Sequence, residues 1–251
     1  MNRATRSTIC ATHSNPAINA TMATVDFAAA LHTLEQFYGP LPTLLPKAIR
    51  GDPFALVLWE QVAYLATDAT RAEAFAALTR RVGLTPDAIL DAPVATLETV
   101  CRIGGPIAFG DRAERMRTSA RMVIAKWSGD ARTILALPED QSRRALATFP
   151  MIGQPGADKI LALTGFGTQL PLDSNALRVV ERLGFVEAGR DYRATYRAAQ
   201  TALSNISRSD AVRRVAVSQL LRHHGRELCR RSAPRCGMCP LANQCPSRQG
   251  G

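Results

Sequence analysis

The sequence predicts an all-α fold, and three observations support that prediction. Apolar residues recur at the three- and four-residue spacing of amphipathic helices along most of the chain. No segment alternates apolar and polar residues as a half-buried strand does, and no Asn-Gly pair marks a hairpin. Hydrophobic residues make up 46% of the chain but aromatic residues only 6%, a balance that favours helices rich in Ala and Leu.

Proline and glycine mark the helix boundaries in chain order. Gly39 closes the first helix, Pro53 opens the second in a first-turn position, and Gly83 follows the third. Two short helices begin at Thr85 and Ala92. The longer predicted helices cover residues 25–38, 54–65, 70–82, 112–127, 138–147, 157–163, 174–183, 191–203 and 210–224.

The first 22 residues are predicted to be a disordered tail. They lack acidic residues and apolar periodicity, and they contain no continuous apolar core of the kind that a secretory signal needs. Because the helical pattern begins just after Met22, that residue is an alternative start to Met1.

The charge of the chain points to a polyanionic partner. Its net charge is +10 and its pI is about 10.0, which favours nucleic acid first and an anionic membrane surface second. No apolar run approaches the roughly 20 residues that cross a bilayer. We therefore expect a monomeric, cytoplasmic protein that is associated with the bacterial nucleoid and not with a membrane.

Four of the six cysteines form a cluster near the C-terminus. Their spacing is C-x6-C-x2-C-x5-C, at Cys229, Cys236, Cys239 and Cys245. The surrounding segment is rich in Arg, Pro and Gly and cannot bury enough apolar surface to fold alone, so a metal centre would supply cross-links. The spacing favours an iron–sulfur cluster, while a four-cysteine zinc site and disulfides remain alternatives.

The residues around these cysteines resemble the [4Fe-4S] loop of the endonuclease III family of helix-hairpin-helix DNA glycosylases. The resemblance rests on His224-Gly225-Arg226-x-x-Cys229 and Pro234-Arg235-Cys236-Gly237-x-Cys239. It implies a [4Fe-4S] cluster with a structural role, held by all four cysteines. It also implies a loop that binds DNA through Arg230, Arg231 and Arg235, for which a solvated charge run is the alternative.

The segment 149–163 resembles the helix-hairpin-helix motif of the same family. The motif usually reads apolar-Pro-Gly-apolar-Gly before a helix, and here Met151 stands where the first glycine is preferred. Backbone N–H groups of such a turn, with the N-terminus of the next helix, bind phosphate without reading bases. The DNA-binding residues expected in this turn are Ile152, Gly153, Gln154 and Gly156.

Asp173 lies in a segment, Pro171 to Val179, that resembles the family's catalytic aspartate segment. The resemblance implies that its carboxylate stabilises positive charge on the sugar as the C1′–N bond breaks, or activates the attacking nucleophile. A role as a helix N-cap alone is the alternative.

The family's bifunctional members place a lysine two residues after the second hairpin glycine, where this chain has Pro155. That lysine attacks C1′ as a neutral amine and forms a Schiff base. Lys159 lies one helical turn further on, roughly 6 Å along the axis, and is a candidate relocated nucleophile or phosphate contact. Without it, Asp173 and a water would release the base.

The segment from Asp52-Pro53-Phe54 to Ala66-Thr67-Asp68 keeps the family's spacing but not its residues. Leu65 replaces the glutamine that fills the space left by the extruded base, and an apolar wedge can serve there. The expected base pocket comprises Glu60, Gln61 and Tyr64, and Gln61 falls near the catalytic glutamate of the mispair-adenine glycosylases.

The resemblance as a whole implies a six-helix barrel and a second helical domain. The barrel would cover residues 46–167, and the cluster domain would combine residues 23–45 with 168–251. The expected function is excision of a damaged or mispaired base from double-stranded DNA by a glycosylase without lyase activity. Its alternatives are a bifunctional enzyme that uses Lys159 and a relative that binds lesions without cutting.

Overall fold

The computed structural model describes residues 26–42, 45–207 and 210–249, and this part of the chain contains helices and no strand. The predicted all-α fold is confirmed. The α-helices are α1 (Phe27–Tyr38), α2 (Pro53–Gln61), α3 (Asp68–Arg81), α4 (Pro86–Asp91), α5 (Val94–Ile103), α6 (Phe109–Trp127), α7 (Glu139–Leu146), α8 (Gln154–Leu163), α9 (Ser174–Arg182), α10 (Tyr192–Ala202), α11 (Ser204–Ser207), α12 (Ala211–Glu227) and α13 (Pro246–Gln249). Four short 3-10 helices cover Lys47–Ile49, Ala131–Ala136, Cys236–Met238 and Ala242–Gln244. None of the helices in these ranges is long and apolar enough to span a membrane.

Most predicted helices are present, with ends that shift by a few residues. The largest difference is in α2, which ends at Gln61 and not at Leu65, because Leu65 has a left-handed backbone with φ of 49°. The cysteine-rich end, where the sequence shows no periodicity, contains two 3-10 helices and α13. The predicted disordered tail lies outside the described residues.

The first hydrophobic core is built around α2. Nearly every side chain of this helix is buried, as expected for a helix that is apolar on all faces. Residues from Leu45 to Leu161 pack around it, and they come from the segment before α2, from α2 to α8 and from the loops between these helices.

A second core joins the N-terminal helix to the C-terminal half of the chain. Ala30, Leu31 and Leu34 of α1 pack with apolar residues of α9, α10 and α12. Gly225 lets α12 approach α9 closely, since a Cβ at this position would lie 2.5 Å from the carbonyl oxygen of Asn175.

A buried arginine fixes the loops that follow α2 and α5. Arg112 is fully buried and donates hydrogen bonds to the carbonyl oxygens of Val62, at 2.7 Å, and Cys101, at 2.7 Å. It also donates to the carbonyl of Gly105. Because carbonyls at helix ends otherwise lack partners, this one side chain holds the segment before Leu65 against the first core.

Candidate active site

A cleft of about 650 Å³ is lined by residues from both halves of the fold. Trp59 and Glu60 of α2 and Lys159 of α8 contribute from the first half, and Asp173 and Arg222 contribute from the second. The structure therefore brings the two predicted catalytic residues, Asp173 and Lys159, to one cleft together with Glu60.

Asp173 is the N-cap of α9, and both of its carboxylate oxygens accept hydrogen bonds. Oδ1 accepts from the backbone N–H groups of Asn175 and Ala176, each at 2.9 Å. Oδ2 accepts from Nε of Arg222 at 3.0 Å. The side chain remains 38% exposed toward the cleft. The N-cap role and a position in the cleft thus occur together.

Tyr192 covers part of the cleft beside this carboxylate. Its hydroxyl donates to the carbonyl oxygen of Leu172 at 3.2 Å. Burial, with a smaller contribution from the charge of Asp173, raises the pKa of Tyr192 to about 12. The hydroxyl therefore stays protonated at neutral pH and is available as a hydrogen-bond donor.

Lys159 forms an ion pair with Glu60 inside the cleft. Its Nζ lies 2.6 Å from Oε1 of Glu60, and the side chains are 36% and 22% exposed. Arg71 donates to the carbonyl oxygens of Trp59 and Glu60, at 2.7 and 3.1 Å. Burial acts to raise the pKa of Glu60, but Lys159 and Arg71 outweigh it and hold the pKa below its ordinary value. The carboxyl group of Glu60 is therefore ionised at neutral pH.

Arg222 binds a second carboxylate, that of Asp68 at the start of α3. Its Nη1 and Nη2 lie 2.7 and 2.6 Å from the two oxygens of Asp68, and Arg226 lies 3.3 Å from one of them. Burial opposes ionisation of Asp68, but the hydrogen bonds and charge of Arg222 dominate and lower its pKa to about 2. Arg222 consequently spans the cleft between Asp68 and Asp173.

The turn before α8 has a left-handed backbone conformation at Met151, the conformation that glycine favours. Met151 has φ of 67°, in the left-handed region, so the hairpin is formed even though a side chain occupies the first glycine position. Gly153 is the N-cap of α8 and offers no side-chain oxygen, so the N–H groups of Gln154 and Gly156 lack the acceptor that a capping side chain supplies. Gly153 and Gly156 line the cleft.

Ile152 does not fit its predicted role as a DNA contact. Its side chain is only 2% exposed and belongs to the first core, and its N–H donates to the carbonyl oxygen of Phe149. Its side chain packs in the core and its N–H is bonded within the turn, so Ile152 supports the hairpin and has neither group free for another molecule.

Two residues of the predicted base pocket also lie elsewhere. Gln61 is fully buried, and its Nε2 donates to Oγ of Ser119 at 2.8 Å and to the carbonyl oxygen of Pro150 at 2.9 Å. It ties α2 to α6 and to the hairpin, because α2 turns it away from the cleft. Tyr64 is 43% exposed and follows the end of α2, outside the cleft lining. Only Glu60 of the three predicted pocket residues lines the cleft.

Leu65 is placed as a wedge would be. Its side chain is 79% exposed, and its left-handed φ of 49° is uncommon for a branched apolar residue. An exposed apolar side chain on a strained backbone contributes nothing to the core. These two features together are expected of a residue that contacts another molecule.

The four clustered cysteines line a cavity of about 160 Å³ near the C-terminus. All five cysteines of the described ranges are thiols without a disulfide. Four thiols that face one cavity are the donor set that an iron–sulfur centre or a four-cysteine zinc site uses.

The arginines of the cysteine loop differ in exposure. Arg231 and Arg235 are exposed, whereas Arg230 is half-buried and donates to the carbonyl oxygen of Arg226 at 3.2 Å. Arg182 of α9 binds the loop from inside, through the carbonyl oxygen of Arg230 at 2.7 Å.

Sequence reasoning missed Arg71 and Arg222, whose contacts are made between distant segments. The sequence carries a weak signal for Arg222, in the spacing of polar residues along α12. Ser218, Arg222 and Arg226 recur every four residues on α12 and so share one face, and all three line the cleft.

No family model matches the sequence. The chain is 27% identical to endonuclease III of Sulfolobus acidocaldarius over 193 residues, 76% of this chain and 81% of that protein. It is 26% identical to thymine/uracil-DNA glycosylase of Pyrobaculum aerophilum over 205 residues, 79% of this chain and 82% of that protein.

Solved structures of the same kind share the fold. A trapped endonuclease III–DNA covalent intermediate superposes with a TM-score of 0.69 at 21% identity, covering 89% of this chain and 95% of that one. A thermostable thymine-DNA glycosylase superposes with a TM-score of 0.68 at 17% identity, covering 89% and 97%.

The all-helical fold, the hairpin before α8 and the aspartate that caps α9 define the class of helix-hairpin-helix DNA glycosylase folds. Within that class, the chain is similar in sequence and in fold to endonuclease III proteins. It differs from the family's pattern at position 155, where proline stands in place of the usual lysine.

Proposed function

We propose that this chain is a DNA N-glycosylase that releases a damaged or mispaired base from double-stranded DNA, with Asp173 as the catalytic carboxylate and water as the nucleophile. The observation that carries the proposal is the position of Asp173, fixed in a cleft beside the hairpin and near Pro155. Relatives named endonuclease III and thymine/uracil-DNA glycosylase support base excision as the reaction class.

Asp173 would act on the sugar. As the C1′–N bond breaks, positive charge develops on the sugar ring, and a fixed carboxylate nearby stabilises it. Oδ1 is occupied by two backbone N–H groups, so Oδ2, on the Arg222 side, is the oxygen with capacity left for the sugar or for a water.

DNA would be held by groups on both sides of the cleft. The first-turn N–H groups of Gln154 and Gly156, with the positive end of the α8 dipole, suit a backbone phosphate. Leu65 would fill the space left by the extruded nucleotide, and Arg231 and Arg235 would contact phosphates further along.

Glu60 is the candidate contact for the extruded base. It is an ionised carboxylate on the wall of the cleft and can accept a hydrogen bond from an N–H of the base. Its partner Lys159 can donate to a carbonyl oxygen of the base, so the pair offers one acceptor and one donor. Many bases carry both an N–H and a carbonyl oxygen on one edge, so the pair does not select one base. The screen of base release described below identifies the substrate.

A bifunctional enzyme that uses Lys159 is the second candidate, because Lys159 also lines the cleft. An amine attacks C1′ only when it is neutral and unpaired. Attack would therefore require Lys159 to leave Glu60, 2.6 Å away, and to lose its proton. This requirement favours the water-dependent reaction.

The four cysteines of the C-terminal loop would hold a [4Fe-4S] cluster. When bound, the cluster supplies metal–thiolate cross-links for a segment with little core of its own. In this chain the thiols face one cavity, and Arg182 lies 3.5 Å from Sγ of Cys229, where its guanidinium offsets thiolate charge. The expected signature is a visible iron–sulfur absorption in the purified protein.

A screen of base release tests the function. Duplexes carrying an oxidised pyrimidine, uracil, an alkylated purine or an adenine·8-oxoguanine pair are incubated with excess protein, and free base is measured. We expect release from at least one duplex, abolished by Asp173→Asn. Binding to a lesion duplex with no release from any of them would instead support a lesion-binding relative without activity.

Borohydride trapping separates the two catalytic candidates. Wild-type protein should give no covalent adduct with the processed duplex, and Lys159→Ala should retain base release. A strong adduct that disappears in Lys159→Ala would overturn the water-dependent reading and establish the lyase.

A further inference from the structure

One arginine side chain connects the catalytic carboxylate to the opposite wall of the cleft. Arg222 lies on α12, in the second half of the fold, and donates through Nε to Asp173 at 3.0 Å. Its two terminal nitrogens donate to both oxygens of Asp68, at 2.7 and 2.6 Å. Asp68 begins α3, in the first half of the fold.

The hydrogen bond from Arg222 supplies an orientation that the helix cap alone does not. Both N–H groups of the cap bind the same oxygen of Asp173, Oδ1. The χ2 torsion of an aspartate is broad, so contacts to one oxygen leave the carboxylate plane free to turn. The contact from Arg222 to Oδ2 is the second point that fixes this plane.

Asp68 in turn fixes Arg222. A bidentate contact between a guanidinium and a carboxylate is planar and directional. It fixes the guanidinium plane, so the N–H at Nε points in one direction, toward Asp173. Arg226 also contacts Asp68, so two arginines balance the two carboxylates. Asp173 itself shares the single guanidinium of Arg222 with Asp68, so its own negative charge is only partly offset.

We infer that Arg222 is a positioning residue for Asp173, anchored by Asp68 on the segment that also presents Leu65. This inference rests on the proposed base-release function of Asp173. Leu65 and Asp68 are three residues apart, so one short segment holds both the wedge and the anchor. A duplex that binds Leu65 in its proposed position would also fix the segment that carries Asp68. Through Asp68 and Arg222 it would keep the carboxylate of Asp173 in its orientation.

The test uses the duplex of the four-member panel that wild-type protein processes fastest. The rate of base release is measured in a single turnover at saturating protein, which separates chemistry from binding. Affinity is measured with a duplex that contains a tetrahydrofuran abasic-site analogue. Arg222→Met is expected to lower the rate about tenfold or more and to change the affinity by less than about twofold. Asp68→Asn is expected to lower the rate by about threefold.

Arg213→Met is the matched control. Arg213 also lies on α12 and pairs with a carboxylate, that of Glu35, but it does not line the cleft. Its rate should remain within about twofold of wild type.

A conservative variant guards against a merely structural effect. Arg222→Lys keeps the charge but cannot bind both carboxylates with one planar group, so its rate should fall between wild type and Arg222→Met.

The outcomes separate this inference from the function on which it rests. If Asp173→Asn abolishes release but Arg222→Met, Arg222→Lys and Asp68→Asn all stay within twofold, the inference is overturned and the function stands. Equal losses in Arg222→Met and Arg213→Met would also overturn it, since the loss of one positive charge on α12 would explain both. Full release by Asp173→Asn would overturn the proposed function itself. If Arg222→Met does not fold, Arg222→Lys and Asp68→Asn decide in its place.

Discussion

The contact between α8 and α10 gives a prediction whose size follows from the structure. Tyr196 of α10 donates its hydroxyl to Oδ2 of Asp158 on α8 at 2.8 Å, and both residues are 1% exposed. Arg143 donates to the other oxygen, Oδ1, at 2.5 Å. Burial raises the pKa of Asp158 despite Arg143, so this carboxyl depends on its few partners. The contact also joins the hairpin helix to the second core.

Tyr196→Phe removes the hydroxyl and leaves one buried oxygen of Asp158 without its donor. A buried polar atom that loses its partner costs about 1–3 kcal/mol, and no water can replace a donor at a fully buried site without rearrangement. Because Arg143 still binds the other oxygen, we expect a loss of about 2 kcal/mol in the free energy of unfolding.

Urea denaturation followed by helical circular dichroism measures this loss. Tyr192→Phe is the matched control, since Tyr192 stacks on Tyr196 and also donates a hydrogen bond but is 45% exposed. Water can satisfy the groups left by that change, so its cost should stay below about 1 kcal/mol. Equal costs for the two variants, or a loss below about 0.5 kcal/mol for Tyr196→Phe, would refute the reasoning.

Three further predictions concern the hairpin and the cleft. Met151→Gly should be more stable than Met151→Ala by about 1 kcal/mol in urea denaturation, because φ is 67° there and only glycine adopts it without cost; greater stability of the alanine variant would contradict the left-handed turn. Pro155→Lys should give a borohydride-trapped adduct with processed DNA, seen as a shifted band on a denaturing gel, because position 155 lines the cleft; a band no stronger than wild type would count against that placement. Asp68→Asn should lose about 1 kcal/mol of stability at neutral pH, a value reduced for solvent screening because Asp68 is 40% exposed. The pKa of Asp68 is lowered to about 2, so its contribution is complete above the ordinary value near 4 and disappears as pH falls through about 2. Unfolding of wild type and Asp68→Asn should therefore differ less at pH of about 3 than at pH of about 6; a constant difference would contradict the ion-pair account.

The sequence predicted the helices well because their signals are local. Apolar spacing and N-caps such as Asp52, Asp173 and Asp191 depend on residues three or four positions apart, and all three cap helices in the structure. The end of α2 was predicted wrongly for a reason that is not local. Arg112, some 50 residues later, binds the carbonyl oxygen of Val62 and fixes the turn that presents Leu65.

The site was predicted in part, for a similar reason. The motif position indicated Asp173, and helix geometry indicated Lys159, one turn after the motif's lysine position at Pro155; both inferences depend on spacing along the chain. The misplacement of Gln61 is a matter of helix phase, because neighbouring residues of α2 differ by about 100° and Gln61, unlike Glu60, turns away from the cleft. Arg222 depends on a tertiary contact across 49 residues to Asp173, which one sequence does not reveal.

The charge of the cleft differs from the charge of the whole chain. The chain carries a net charge of +10, yet four basic and four acidic side chains line the cleft: Arg71, Lys159, Arg222 and Arg226 against Glu60, Asp68, Asp173 and Glu227. The excess positive charge that would attract DNA therefore lies outside the cleft.

This separation suits the proposed chemistry. A cleft with excess positive charge would oppose the cation that forms on the sugar as the base leaves, and one with excess negative charge would repel the phosphates on either side of it. Asp68 and Asp173 share Arg222, and Glu60 pairs with Lys159, so positive and negative groups balance within the cleft. In the proposed reaction Asp173, held by Arg222, would then face the sugar. Because Pro155 replaces the family's usual lysine, that orientation is the contribution to the chemical step that we expect from these residues.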